Sequence, residues 1–168
     1  MDYIDFEKDF KKLIEQHKSD KNYNLIKDYP AIFSLVKNIA IDRNSDGMVK
    51  MIMNSAISYF VLPIDIMSEK NMGISGYMDD FFMCISALRV LLEYERETGK
   101  FLIKKYWKLE EDYEDYLTQK YYSLIQRLSE KVTSDILFHS GLKYIKEIII
   151  SKKDPRSYVE KKTRSLQR

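Results

Sequence analysis

The sequence predicts an all-α fold, a single-domain helical bundle built around a central apolar helical hairpin. Only 5 glycines and 3 prolines occur in 168 residues, which is few for a loop-rich or all-β protein. Apolar residues recur at helical spacing along most of the chain, and no useful length alternates apolar and polar residues as a strand does. A chain of this length most simply forms one domain, which buries about 70% of the surface exposed by its unfolded form.

Two helices are predicted in the first quarter of the chain. Apolar spacing indicates the first over 4–18, and the second is placed over 30–42 because the proline at its start disfavours helix at the preceding residue. The following segment 42–47, DRNSDG, matches the first six positions of an EF-hand loop. Position twelve is Met53 instead of the bidentate glutamate that such a loop needs, so we interpret the segment as a turn.

The next two helices form the central hairpin. In the helix over about 46–61, apolar residues follow the i, i+3, i+4, i+7 rule, and the helix over about 76–97 is apolar around most of its circumference. A membrane span needs about 20 predominantly apolar residues. Only 14 residues lie between Lys50 and Asp65, and they include Asn54 and two serines. We therefore predict two core helices instead of two membrane spans.

The second half of the chain is predicted to hold two further helices and a basic end. A long fifth helix is expected over about 100–131, with the acidic segment LEEDYEDY on its outer face. A sixth is expected over about 134–150, beginning at a Ser-Asp capping signal. The helical domain then covers 1–150, and the basic tail, 151–168, forms a short helix or a disordered end.

The net charge of +2 is unevenly distributed along the chain. The tail carries +5 and the rest of the chain −3. A basic tail on an acidic body is suited to a nucleic acid, an anionic membrane surface or an acidic protein partner, and a solvated helix end is the alternative. The candidate contact residues are Lys152, Lys153, Arg156, Lys161, Lys162 and Arg164.

Several classes of chemistry have no motif in this sequence. The segment GISG lacks the lysine of a phosphate-binding loop, and the two histidines do not have metal-ligand spacing. The tyrosines of the fifth helix alternate with acids that would repel nucleic-acid phosphates, so we assign them to core or partner packing. The first residues show no signal-peptide pattern, which makes the cytoplasm the expected compartment, with peripheral membrane attachment as an alternative.

Three carboxylates lie where the two apolar helices of the hairpin meet, in the segment YFVLPIDIMSEKNMGISGYMDD. Helix geometry places Asp79 on a polar stripe that ends at Glu93, and it turns Asp80 toward the interior with Cys84. Asp65 follows Pro63, where the first helix of the hairpin ends. An unpaired buried carboxylate is costly, so each of these acids must be hydrogen-bonded, paired or bound to a metal.

Two arrangements satisfy that requirement, and the sequence leaves both open. In the structural one, first-turn N–H groups and the helix dipole stabilise Asp79 and Asp80, Asp65 caps the turn, and Arg89 or a lysine pairs with the remaining acid. No cofactor is then expected. In the functional one, the three acids bind Mg²⁺ or Mn²⁺, as in a metal-dependent phosphoester hydrolase.

The same stretch resembles the YkvA-like family, a domain of unknown function. The resemblance rests on Tyr59, on Pro63-Ile64-Asp65 and on Gly76-Tyr77-Met78-Asp79-Asp80, and it covers about 55–92. The sequence departs from the pattern at Ser68-Glu69, where the family has Pro-Asp. The resemblance implies a helical hairpin, sometimes regarded as membrane-associated, and no established reaction. It also implies that one set of residues acts as a unit: Tyr59, Pro63, Asp65, Gly76, Asp79 and Asp80.

These observations predict a non-catalytic, bacterial-type accessory module that binds a protein partner. Its acidic hairpin turn is structural, and its contacts use the tyrosine and acid face of the fifth helix together with the basic tail. The metal-dependent enzyme and the peripheral membrane protein remain as alternatives.

Overall fold

The computed structural model describes residues 6–61, 66–67 and 72–153, and within these ranges the chain is all-α, without a strand. This confirms the predicted fold class. In chain order the helices are α1 (Phe6–Gln16), α2 (Tyr23–Ile26), α3 (Tyr29–Ile41), α4 (Gly47–Val61), a 3-10 helix (Gly73–Tyr77), α5 (Met78–Tyr94), α6 (Arg96–Tyr106), α7 (Tyr113–His139) and α8 (Leu142–Lys153).

Helix α5 is the centre of the bundle. It packs against α3, α4, α6, α7 and α8, and every residue from Met78 to Leu88 is buried. A helix that is apolar around most of its circumference needs such cover on all sides, which is the reason why the sequence predicted its central position. In the part of the chain that the structure describes, none of the helices combines the length and the apolar character needed to cross a membrane.

Helix α4 forms the other arm of the hairpin and lies between α3 and α5. The DRNSDG segment that precedes it is a turn, as predicted. The Asp46 carboxylate accepts a hydrogen bond of 2.8 Å from the Val49 N–H and so caps the start of α4. The Asp42 carboxylate accepts one of 2.7 Å from the Asn44 N–H.

The prediction of one long helix over 100–131 is wrong. The chain leaves the helical conformation after Tyr106 and enters α7 at Tyr113, so the acidic segment crosses a helix start. Asp112 is the cap: its carboxylate accepts hydrogen bonds from the N–H groups of Glu114 and Asp115. An aspartate in this position satisfies first-turn donors only if the helix begins there.

The predicted helix start at Ser134-Asp135 is also wrong. Helix α7 continues to His139, with a local break at Ser129, where φ is 67° and ψ is 157°. The boundary lies instead at Gly141, whose φ of 75° is the left-handed conformation that commonly ends helices. The short helix α2 was not predicted, whereas the ends of α3, α4 and α5 lie within three residues of their predicted positions.

Candidate functional site: the carboxylates of the central hairpin

The first turn of α5 places two acids inside the protein. Asp79 is 0% exposed and Asp80 is 7% exposed. The prediction that Asp79 lies on a polar stripe is therefore wrong, although Glu93, at the other end of that stripe, is exposed. The interior position predicted for Asp80 is confirmed. Gly76, in the preceding 3-10 helix, is buried as well.

Both oxygens of the Asp79 carboxylate accept hydrogen bonds. Oδ2 accepts one of 3.1 Å from the Tyr59 hydroxyl of α4 and another of 3.1 Å from the Met67 N–H of the connection. Oδ1 accepts one of 3.0 Å from the Asp80 N–H, in the first turn of α5. One side chain thus joins both arms of the hairpin and the segment between them, and we call this arrangement the Asp79 clasp.

Burial governs the electrostatics of this region. It raises the pKa of Asp79, and the three donors act in the opposite direction because they stabilise the charged form. Burial also raises the pKa of the Cys84 thiol, and the charge of Asp80 adds to that effect. Burial is also the largest cause that raises the pKa of Tyr29, followed by the charges of Cys84 and Asp80. Asp80 is thus close enough to act on the interior groups of α3 and α5.

Two of the three proposed metal ligands, Asp79 and Asp80, lie among the described residues. Asp65 and Pro63 lie outside the residues that the structure describes. In the described ranges, no three His, Cys, Asp or Glu side chains are close enough together to hold a metal ion. An ion at Oδ2 of Asp79 would displace the present donors of that oxygen. Arg89, the expected partner for one of the acids, lies with its guanidinium 4.4 Å from the centroid of the Tyr121 ring.

The basic tail is described only at its beginning. Lys152 and Lys153 form the end of α8 and are exposed, and the Lys153 ammonium donates a hydrogen bond to the Glu93 carbonyl near the end of α5. A lysine at this position satisfies a carbonyl that the helix leaves without an internal donor. The other candidate contact residues, Arg156, Lys161, Lys162 and Arg164, lie outside the described residues.

The tyrosines and the acids of the expected contact face separate in the structure. Tyr113 and Tyr116 are buried, and the Tyr116 hydroxyl donates a hydrogen bond of 3.1 Å to Asp28. Burial raises the pKa of Tyr116 far above its ordinary value. These two tyrosines belong to the core and not to the expected contact face, whereas Tyr122 is 56% exposed. The exposed acids of this region are Glu110, Glu111, Asp112 and Asp115.

Asp42 is a third buried acid, and its partners were not predicted from the sequence. The Asp42 side chain accepts hydrogen bonds from the Lys105 ammonium at 2.5 Å and from the Tyr106 hydroxyl at 2.6 Å. These contacts hold the pKa of Asp42 well below its usual range. They tie the turn between α3 and α4 to the end of α6. No local signal could have identified partners that lie more than 60 residues away.

The central hairpin also matches the model of a protein family. Residues 49–85 match the model of a family described as "Protein of unknown function (DUF1232)". The matched segment runs from the start of α4 into α5 and includes Tyr59, Asp79 and Asp80. No curated protein and no solved structure matches the chain. The YkvA-like resemblance is thus confirmed over this segment, and the α4–α5 hairpin is similar to the family of unknown function DUF1232.

Proposed function

We propose that this protein is a non-catalytic accessory module that binds a protein partner, and that the Asp79 clasp has a structural role. The observation that supports this proposal is the complete burial of Asp79 together with the three donors on its carboxylate. A catalytic carboxylate must reach substrate or solvent, whereas a buried and fully hydrogen-bonded one specifies the packing of the elements that it joins. The clasp joins α4, the connection and α5.

A metal-dependent phosphoester hydrolase has less support. An ion at Oδ2 of Asp79 would replace the hydrogen bonds from Tyr59 and Met67, and the buried Tyr59 hydroxyl would then need another acceptor. Its remaining ligand would have to come from Asp65, outside the described residues. Thermal unfolding with added metal ions separates the structural role of the clasp from the metal-dependent enzyme.

The exposed acids before α7 and in its first turn are the surface that we assign to a partner. They stand on a rigid support, because Asp112 caps α7 and Glu114 is paired with Lys100 at 2.9 Å and with Arg96 at 3.2 Å. A concentrated negative charge of this kind steers the approach of a basic partner and disfavours acidic ones. The partner we expect is therefore a protein with a basic surface.

Affinity capture with matched variants tests this proposal. The variant Glu110→Gln/Glu111→Gln/Asp115→Asn removes exposed charge and leaves the capping Asp112 intact. A second variant, truncated after Lys153, removes the rest of the tail and keeps α8. We expect a captured protein, once purified, to bind the acid variant more weakly than the wild type, with an affinity that falls as salt rises. Equal binding to all three proteins would contradict the assignment of both surfaces.

Attachment to an anionic membrane surface is a second candidate, and one observation favours it. Phe138, Tyr144 and Ile148 are 41–52% exposed, and the rings of Phe138 and Tyr144 lie 5.8 Å apart between centroids. Exposed apolar side chains beside a basic segment are typical of helices that lie on lipid surfaces. Flotation with phosphatidylserine vesicles at low salt should carry the protein, and Tyr144→Ser/Ile148→Ser should stay behind. A wild type that does not float would exclude this candidate.

A further inference from the structure

A cleft outside the hairpin gathers three lysines from distant parts of the chain. It has a volume of about 360 Å³ and is lined by residues of α1, of the segment before α3, of α3 itself and of the connection between α6 and α7. The lining residues are Lys11, Lys27, Asp28, Pro30, Ala31, Ser34, Lys108 and Leu109. None of them belongs to the segment 49–85 that matches a family.

The charges in this cleft are not balanced. Asp28 is its one acid, and that carboxylate already accepts the Tyr116 hydroxyl at 3.1 Å and lies 3.5 Å from the Lys120 ammonium. Within the described part of the chain, no acid lies at ion-pair distance from Lys11, Lys27 or Lys108. The cleft therefore has an excess of positive charge in a body that is acidic as a whole.

A fourth lysine lies beside this cleft. Lys120 is largely buried, and burial is the main cause that lowers its pKa. The charges of Asp28 and Glu111 act in the opposite direction, and Lys27 adds a smaller effect in the same direction as burial. Because Lys120 lies 3.5 Å from Asp28, the one acid of the cleft is already paired with a lysine that does not line it.

The walls of the cleft limit the kind of anion. Pro30, Ala31 and Leu109 supply apolar surface, and the Ser34 hydroxyl supplies a polar group. A volume of about 360 Å³ lies within the range of small-molecule sites, roughly 300–1,000 Å³. Three ammonium groups and one acid, itself paired with Lys120, leave at least two positive charges in the cleft, and a phosphate monoester carries close to two negative charges at neutral pH.

We propose that this cleft binds a small organic phosphate monoester, with the phosphate against Lys11, Lys27 and Lys108 and an apolar body against Pro30, Ala31 and Leu109. The cleft adjoins the proposed partner surface, because Glu111 of that surface lines a neighbouring pocket together with Lys27 and Asp28, but the lining residues of the cleft are not the exposed acids of that surface. It would supply the module with a metabolite-responsive element.

Calorimetric titration with four probes tests the proposal on the full chain. Phenyl phosphate offers both the dianion and the apolar body, phenyl sulfate offers the same body with a single charge, inorganic phosphate lacks the body, and phenol lacks the charge. Phenyl phosphate should bind most tightly. Its affinity should fall as the pH drops from 7.5 to 5, because the second ionisation of a phosphate ester lies near pH 6. Phenyl sulfate should bind weakly at every pH.

Single-lysine variants supply the structural control. Each of Lys11→Gln, Lys27→Gln and Lys108→Gln should weaken phenyl phosphate binding by roughly tenfold, since each removes a charge-assisted contact. Lys12→Gln changes the next residue of α1, which pairs with Asp9 and does not line the cleft, and it should bind as the wild type does. Absence of binding, equal binding of phenyl sulfate, or an equal loss in Lys12→Gln would overturn the proposal.

Discussion

Replacement of Asp79 by alanine should destabilise the protein strongly, and the structure allows the size to be worked out. The substitution removes the acceptor of the hydrogen bonds from the Tyr59 hydroxyl, which is buried, and from the N–H of Met67, which is half-buried. Each such loss costs about 1–3 kcal/mol. Removal of a buried charge offsets part of this cost, because burial penalises the ionised form of Asp79. We therefore expect a net loss of about 3 kcal/mol in the free energy of unfolding.

Thermal unfolding followed by circular dichroism measures this effect. For a domain of this size, 1 kcal/mol shifts Tm by about 2–4 °C, so the expected fall is about 6–12 °C. Asp115→Ala is the matched control: Asp115 also lies in the first turn of a helix, but it is exposed. It should lose only its favourable interaction with the helix dipole, about 0.3–1 kcal/mol.

The comparison of the two variants decides whether the clasp is structural. If Asp79→Ala melts within about 2 °C of Asp115→Ala, the carboxylate holds nothing together and the reasoning fails. A double-mutant cycle adds a second test. Because Tyr59→Phe and Asp79→Ala remove the same hydrogen bond, the double variant should lose less stability than the sum of the two single variants.

Three further predictions follow from the buried acids. Asp79 has a raised pKa, so the folded chain keeps a proton on this carboxylate at pH values where the unfolded chain has released it, and the stability that Asp79 contributes rises as the pH falls through that range. Urea titrations from pH 7 to 4.5 should show the free energy of unfolding of the wild type increasing relative to that of Asp79→Asn. A constant difference would contradict this. Asp42 has a lowered pKa, so Asp42→Asn should lower Tm at pH 7, and the difference in Tm from the wild type should shrink only as the pH falls below about 4. An unchanged Tm would show that the contacts with Lys105 and Tyr106 contribute nothing to stability. Mg²⁺, Mn²⁺ or Ca²⁺ should not raise the Tm of the metal-stripped protein, whereas an ion bound at 100 times its Kd would add about 2.7 kcal/mol to the free energy of unfolding. A rise in Tm that disappears in Asp65→Asn and Asp79→Asn would instead support the metal-dependent enzyme.

The central position of α5 was predictable because a single cause determines it. Its apolar residues leave no face for water, so other helices must surround it. The two helix boundaries in the second half of the chain, at Asp112 and Gly141, were not predicted, although each has a local signal. Asp112 is a good cap and Gly141 is a typical helix end, but both lie within apolar periodicity that continues across them. Periodicity alone does not locate the point where a helix stops.

The environment of Asp79 could not be predicted for a different reason. Helix geometry gives the direction in which a side chain leaves the helix, and it does not say what covers that direction. Here the cover comes from Tyr59, 20 residues earlier, and from Met67 in the connection, 12 residues earlier. The long-range partners of Asp42 have the same character. Hydrogen bonds between distant segments depend on the whole fold, so the sequence indicated that the acids need partners without naming them.

The position of the hairpin within the bundle separates stability from binding. The matched segment 49–85 cannot cover Phe81 and Phe82 by itself, because α5 is buried by α3, α6, α7 and α8, which lie outside that segment. Helix α5 therefore depends on the surrounding helices for its cover. Both proposed binding sites, the acids around the start of α7 and the lysine cleft, lie on those surrounding elements. Substitutions in the clasp should consequently lower the melting temperature more than substitutions at the two sites, which should mainly change affinity.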